Sequence, residues 1–547
     1  MDSINSLPFE ILEKIFDYLD LYERSCALAT CKHWHSILNC TRFQRQRRLA
    51  LAHIFQDELT EQEKIAVQKC CNLRVVHYED SGNSDSESAA GSEGDQNEQR
   101  IGRNLHSIEN LFRNTPEQNL NDLLFGRVLD LESLSLETGY EICRNIIRDR
   151  LDSIKNLNEL VLLFTGSRFP TPDTGLWTIR HAGIQILKVQ MPVDGKHLSF
   201  IVPSLTSLEL IDSFRWSLNM LNTHSEQLRC LKLKLRHIEM LDDLFPLTFP
   251  NMTYLEIRNN PYKTGEQLRF TQTRNVLDEQ MEQRFVEGMP RLKKLLLEGK
   301  FTFLRMGMSL ARCAHTLEEL VLEDQEIEYA LLKSVEMLPN LKNLTISECK
   351  FRTSSDMLPT LNLPHLERFN LFNYRANIVF DKGLGAVNSL GLTLWADKNY
   401  KVLHKICENM SNLERLELFV NVKLSNNALR HLNKMGKLKS LMFHYTGPSL
   451  QAWKHCPEVL SVRKLSFRGC EMDRSTLLSV VEAFPNLYEL FLDKCILFYC
   501  GDTVELLEHN YINADGDNQC REELRQLLPL CRISLMESLL CCQHSIV

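Results

Sequence analysis

Arg291-Leu-Lys-Lys-Leu-Leu-Leu-Glu298, Thr316-Leu-Glu-Glu-Leu-Val-Leu-Glu323, Asn340-Leu-Lys-Asn-Leu-Thr-Ile-Ser347 and His365-Leu-Glu-Arg-Phe-Asn-Leu-Phe372 are four copies of one unit, apolar-x-x-apolar-x-apolar. The alternation at the end of each copy marks a short strand with one buried face. The first apolar residues stand at 292, 317, 341 and 366, so the copies recur every 24 or 25 residues. Recurrence at that period marks a solenoid. Outward from this stretch, clear copies begin at Leu157, Leu205, Leu228, Met252, Leu413, Leu438, Val462 and Leu487, and looser ones at Leu131, Ile184 and Val387. No single copy can bury its apolar side alone, so each must stack on its neighbours. The expected fold is α/β, a curved solenoid over 129–499 with a parallel sheet on the concave face and helices on the convex one. Glu326 to Glu336 and Ser475 to Ala483 carry helical periodicity and suit the convex layer.

Three copies run on to a cysteine at the next ladder position, Cys349, Cys470 and Cys495, and two place Asn260 and Asn421 there. A small thiol at such a site packs against backbone. The period breaks once, because Met252 and Leu292 are 40 residues apart. The excess falls in a polar loop, 259–274, followed by a helical pattern that Gly288 can terminate.

The N-terminus reads differently. Leu7-Pro8-Phe9-Glu10-Ile11-Leu12-Glu13-Lys14-Ile15-Phe16-Asp17-Tyr18-Leu19 has an N-terminal proline, an early acid and one apolar helical face. A second helical pattern follows, capped by Asp20 with Glu23 three residues on, and it contains Cys31-Lys32-His33-Trp34. Two short helices with this much apolar surface call for a partner. The pattern Leu-Pro-x-Glu-Ile-Leu, Ile-Phe-x-Tyr-Leu, Cys-Lys-x-Trp closely resembles the F-box, with Ala29-Thr30 as a small departure. The repeats resemble the cysteine-containing leucine-rich repeats commonly found behind an F-box. That resemblance implies docking on a Skp-type adaptor and a cullin through Leu7, Pro8, Ile11, Leu12, Ile15, Phe16, Leu19 and Trp34.

Composition narrows the remaining classes. Seven acids lie between Glu79 and Arg100 against that one arginine, a local charge of −6 that leaves about −2 of the total −8 for the rest of the chain. With no basic bias, nucleic acid is not an expected partner. Residues 79–100 are rich in Ser, Gly, Asp and Glu and lack large apolar residues, so they read as a disordered linker. Ser81, Ser84, Ser86 and Ser88 sit there among acids, a context acidophilic kinases favour. The first twenty residues are too charged for a signal peptide, and no apolar run approaches a membrane span, so an intracellular protein without a membrane partner is expected, cytoplasmic or nuclear. The eighteen cysteines then read as free thiols. The division is 1–48 an F-box helical domain, 49–78 a helical connector, 79–100 the linker, 129–499 the solenoid and 500–547 a C-terminal cap or tail. The terminal Ser545-Ile-Val matches a PDZ-ligand pattern.

No nucleophile elbow, phosphate loop, HExxH or paired CxxC is present, and neither a cofactor nor a metal is expected. Cys26, Cys31, His33, His35 and Cys40 fit helix packing better than zinc. Binding is the expected activity. Strand alternation sends the residues flanking the second and third apolar positions outward. Among them Arg368, Phe372, Arg415, Phe419, His444, Arg468 and Phe491 are the candidate contacts for a protein substrate, arginines interleaved with aromatics. A small docking unit, an acidic spacer and a long recognition surface together imply a non-catalytic substrate receptor of an SCF-type ubiquitin ligase. The alternative is a non-degradative interaction scaffold.

Overall fold

The computed structural model describes residues 7–17, 27, 30–38, 48–52, 72–76, 131–138, 151–164, 177–190, 198–213, 220–235, 244, 246–259, 287–299, 315–324, 326–352, 361–372, 382–394, 399–420, 429–445, 453, 456–493, 495–498, 525–526, 528–536 and 539–541. The chain divides into two units, Met1–Leu244 and Phe245–Val547.

The first unit opens on two helices, Phe9–Asp17 and Lys32–Leu38. Pro8 precedes the first, and its carbonyl accepts from the amides of Ile11 and Leu12. Cys31 caps the second, its sulfur accepting from the Trp34 amide at 3.5 Å. Leu12, Phe16, Ala27, Ile37 and Leu38 form the small core between them, and Ile15 and Trp34 pack against it. The Phe16 and Trp34 rings meet edge-on at 5.3 Å.

Among the described residues seven strands of the main sheet follow in chain order, each parallel to the next: Arg48–Ala52, Asn72–Val76, Ser133–Thr138, Glu159–Phe164, Ile186–Gln190, Ser207–Ser213 and Cys230–Leu235. The first two correct the expectation that 49–78 is a helical connector. Leu49, Leu73 and Leu134 share one register position, and Leu51, Val75 and Leu136 the position two residues on. Cys70-x-x-Leu73-x-Val75 is therefore a further copy of the repeat, concealed because cysteine opens it. On the sheet face Glu209 lies between Lys188 at 3.2 Å and Lys234 at 2.9 Å. Burial raises its pKa, but the two ammonium groups outweigh that and hold the carboxyl below its ordinary value.

The second unit stacks eleven parallel strands in chain order: Tyr254–Asn259, Lys294–Glu298, Glu319–Glu323, Asn343–Ser347, Arg368–Phe372, Ser389–Leu394, Arg415–Val420, Ser440–His444, Lys464–Arg468, Glu489–Asp493 and Arg532–Met536. This is the expected parallel-sheet solenoid. The inward residues form two unbroken rows. Leu295, Leu320, Leu344, Phe369, Leu390, Leu416, Leu441, Leu465 and Leu490 make one, and Leu297, Leu322, Ile346, Leu371, Leu392, Leu418, Phe443, Phe467 and Leu492 the other, all buried. Tyr254–Asn259 and Lys294–Glu298 pair residue for residue, so the 40-residue interval costs no register. The loop expected at 259–274 and the helix after it lie almost wholly outside the described residues, as do the linker and the Ser545–Val547 end.

After several strands the chain turns through one left-handed residue, at Gly299, Asp324, Glu348, Tyr445 and Gly469. Each of these amides donates to the carbonyl at the end of the neighbouring strand, from 2.8 to 3.0 Å. The ladder cysteines come next, and their thiols donate to backbone carbonyls: Cys349 to Leu322, Cys470 to Phe443 and Cys495 to Phe467. Short second strands then pair with one another, among them Glu326–Glu328 with Lys350–Arg352. The helix expected over 326–336 consequently starts only at Tyr329, and its counterpart runs Arg474–Ala483. Arg532–Met536 extends the main ladder, so this part of 500–547 is a further repeat and not a separate cap or tail.

Two measurements check this account. Phe467 is buried, stacked on Phe443 at 5.4 Å and edge-on to Trp453 at 5.8 Å. Phe467→Ala is expected to destabilise the second unit by about 3–5 kcal/mol, read from the urea midpoint. Because the folded pKa of Glu209 is depressed, its contribution is full above the ordinary carboxylate pKa and is lost as pH falls through the folded value. Glu209→Gln should therefore cost stability at pH 7 and progressively less below about pH 4.5, measured as urea midpoints of both chains across that range.

Candidate functional site

In the second unit the parallel register lines up the outward side chains in three rows across the strands. The row at the strands' N-terminal ends includes Lys294, Glu319, Asn343, Arg368, Ser389, Arg415, Ser440, Lys464 and Glu489. The middle row includes Thr345, Asn370, Gly391, Glu417, Met442, Ser466 and Phe491. The third row runs Glu298, Glu323, Ser347, Phe372, then Thr393, Phe419, His444, Arg468 and Asp493.

Three of the candidate contacts come together in the third row. The Phe372 and Phe419 rings meet edge-on at 4.8 Å, and Phe419 stacks on His444 at 4.0 Å with its plane within 5°. These rings close over Thr393, which is left 1% exposed. His444 is itself buried at 4% and its Nε2 lies 2.8 Å from Glu417 Oε1. It is the floor of the strip and offers little surface to a ligand, a correction to its expected role as a direct contact. Phe372 and Phe419 remain half-exposed.

Gly391 makes this packing possible. A Cβ there would lie 2.6 Å from Phe372 Cζ and 2.7 Å from Asn370 Oδ1. Glycine inside a strand is the usual sign of such close approach. Tyr445 extends the aromatic surface beyond His444, their rings 6.2 Å apart. It is 61% exposed and held at φ 57°. A large aromatic rarely adopts that conformation, and such strain concentrates at binding sites.

The other candidates are dispersed. Arg468 lies beside His444 in register but pairs with Asp493 at 3.0 Å. Phe491 stands in the middle row beyond Ser466, away from the strip. Arg368 and Arg415 flank Ser389 in the first row, and both are exposed. At the other end of the face Arg258 is held by Glu256 and Glu298. Burial, with the neighbouring Glu298 charge, raises the pKa of Glu323 there.

The N-terminal hairpin separates its eight candidates in the same way. Leu12 and Phe16 are consumed by the internal core, and Ile15 and Trp34 are partly covered by it. Leu7, Pro8 and Ile11 are exposed, and so is Phe9, which the sequence pattern did not single out. Leu19 lies outside the described residues. Three apolar side chains at 36–42% exposure on one short segment form a surface suited to a partner. Among the described residues no helix is long and apolar enough to cross a membrane.

A family profile described as F-box-like matches residues 4–49, the stretch that holds this hairpin. No curated protein matches the chain. Among solved structures it is similar to TLR13 in its complex with ssRNA13, at 16% identity and a TM-score of 0.39 over 76% of this chain and 60% of that one. It is also similar to an internalin, InlF, from Listeria monocytogenes, at 14% identity and a TM-score of 0.30 over 72% of this chain and 77% of that one. A third is the Arabidopsis receptor kinase HAESA LRR ectodomain in complex with an N-terminally extended IDA peptide, at 15% identity and a TM-score of 0.30 over 67% and 63%. The chain thus spans 60% of the length of the first of these.

The role assigned to Gly391 has a direct check. Gly391→Ala should cost about 1–3 kcal/mol through overpacking. The part due to the Phe372 ring should vanish when the same change is made in a Phe372→Ala background, leaving the part due to Asn370, the coupling being read from four urea midpoints.

Proposed function

We propose that this chain is the substrate-recognition subunit of an SCF-type ubiquitin ligase. The observation that carries the reading is the pairing of an F-box-like segment, whose Leu7, Phe9 and Ile11 are exposed, with a solenoid whose face bears an aromatic strip. The exposed apolar edge docks on a Skp-type adaptor, which joins the chain to a cullin. The buried Leu12 and Phe16 set the angle between the helices that presents that edge. The outward face of the second unit holds a protein substrate, with Phe372, Phe419 and Tyr445 as the apolar anchors. The thiols of Cys349, Cys470 and Cys495 at the ladder position support the cysteine-containing subtype of repeat.

The mechanism is proximity. A separate subunit brings the ubiquitin-conjugating enzyme, and tethering raises the local concentration of substrate lysines to the order of millimolar, typical of short linkers. This chain supplies no reacting group. Burial pushes the thiols of Cys407 and Cys456 up to about 12, far from the depressed values a nucleophilic cysteine needs. The proposed compartment is that of such ligases, cytoplasm or nucleus.

The test is affinity purification of the full chain and of a Leu7→Asp, Ile11→Asp variant with mass spectrometry. Adaptor and cullin are expected with the native chain and should fall at least tenfold with the variant, whose circular dichroism stays native because both sites are exposed. Leu12→Ala should also lose the adaptor, but through a destabilised hairpin, by about 2–5 kcal/mol. Absence of adaptor and cullin from the native purification would leave an interaction scaffold as the function.

A further inference from the structure

The third outward row changes character along its length. Glu298, Glu323, Ser347 and Phe372 are successive neighbours in it, on four adjacent strands. Asp324 and Glu348 follow Glu323 and Ser347 at the left-handed turn, the position that Tyr445 fills beyond His444. Among the described residues the cation at this end of the row is Arg258, and both Glu256 and Glu298 hold it. Burial and then the Glu298 charge keep the Glu323 carboxyl above its ordinary pKa. Arg258 opposes them, and Glu348 and Asp324 add to them. Glu348 is exposed, and Glu323 and Asp324 are half-buried. The C-terminal ends of these strands are thus acidic over three strands and aromatic over the four that follow.

That polarity selects what the strip can take. Phe372 and Phe419 are half-exposed and Tyr445 is 61% exposed, so an apolar side chain can cover them. Whatever covers Phe372 also approaches Glu348, about 5 Å away across one strand, and Glu323, about 10 Å away across two. An acidic partner would add like charge there. A wholly apolar one would strip water from carboxylates that already repel one another. A Lys or Arg beside the apolar residue relieves both costs. At the far end of the row Arg468 is neutralised by Asp493 at 3.0 Å and adds little net charge. Arg368 and Arg415 stand at the strands' N-terminal ends, about 13 Å from the strip, which directs a cation to the Glu323 end.

We infer, on the reading that this face holds the substrate, that the strip takes an extended protein segment lying across the strands. An apolar side chain of the segment covers Phe372 and Phe419, and a Lys or Arg of the segment lies over Glu323 and Glu348. Extended backbone advances about 3.3 Å per residue, against about 4.8 Å per strand crossed. The middle of the strip is two strands from Glu348 and three from Glu323, about 10–14 Å. The basic and apolar residues therefore stand about three or four positions apart in the segment. The substrate class is accordingly a basic segment with a large apolar residue close by, held by apolar contact and steered by charge.

The experiment uses the full chain and immobilised degenerate peptide libraries. Three carry a fixed Phe and, three positions from it in either order, Lys, norleucine or Glu. A fourth keeps the Lys and replaces the Phe by Ser. The expected result is about tenfold greater retention on Lys with Phe than on Glu with Phe or Lys with Ser, declining as salt rises from about 0.05 to 0.5 M. In Glu323→Gln with Glu348→Gln, retention on the Lys library should fall to the norleucine level while the norleucine library is unaffected. If the urea midpoint of that variant drops, Glu348→Lys, at the exposed position, is read instead and should show the same fall. Equal retention on Lys, norleucine and Glu, all lost in Phe419→Ala or Tyr445→Ala, would overturn the basic occupant and leave the face as the substrate surface. A Lys preference that survives Glu323→Gln with Glu348→Gln would overturn the role of the acidic end. Retention insensitive to both Phe419→Ala and Tyr445→Ala, or retention on no library, would overturn the inference and the assignment of the face together.

Discussion

Everything in the second unit depends on parallel strands that pair without a slip. In such a sheet a shift of one residue would send every inward side chain to solvent. The leucine rows through 295 and 297 hold that register, because each inward residue packs against its counterparts on the neighbouring strands. The outward face inherits the same order at no further cost. Phe372, Phe419 and His444 are 47 and 25 residues apart in sequence, yet they are neighbours because the core behind them is.

This makes the outward rows a property of the ladder. The interval between Met252 and Leu292 is far longer than its neighbours, yet the strands on either side match residue for residue. What distinguishes one stretch of the face from another is side-chain volume and charge alone. The small residues Ser389, Gly391 and Thr393 form a low strand between two high ones. Phe372 leans over Gly391 toward Phe419, and the exposed Tyr445 continues the same surface from a strained position.

The ladder strands between Ser133 and Asp493 were legible in sequence to within a residue or two, because their burial period is two and their recurrence is regular. Helices were less so. Residues 326–328 carry a helical pattern but pair as a strand, since the ladder behind Cys349 offers hydrogen-bond partners that local periodicity does not reveal. The strands at 48–52 and 72–76 escaped notice because short apolar runs after an F-box-like segment look helical, and only their pairing with each other and of 72–76 with Ser133–Thr138 identifies them. On the face, sequence named Phe372 and Phe419 correctly as outward. It could not tell that His444 is covered, that Arg468 is neutralised by Asp493, or that Leu12 and Phe16 turn inward, since each depends on which neighbour arrives beside it. Gly391 was the one readable signal passed over: a glycine between two leucines of a strand.

The ladder cysteines give this chain an unusual relation to oxidants. A hydrogen bond with Cys470, and then burial, hold the Cys495 thiol far above its ordinary pKa. A thiol is attacked by peroxide chiefly as its thiolate, so its raised pKa slows oxidation of the Cys495 sulfur while its repeat is stacked. That sulfur reacts faster once its repeat opens, which at a solenoid end happens locally and without global unfolding. Oxidation would then trap the opened repeat, because a sulfenic acid or a new disulfide no longer fits between the carbonyls of successive strands. Oxidative damage would thus begin at an end of the array and travel inward, one repeat at a time.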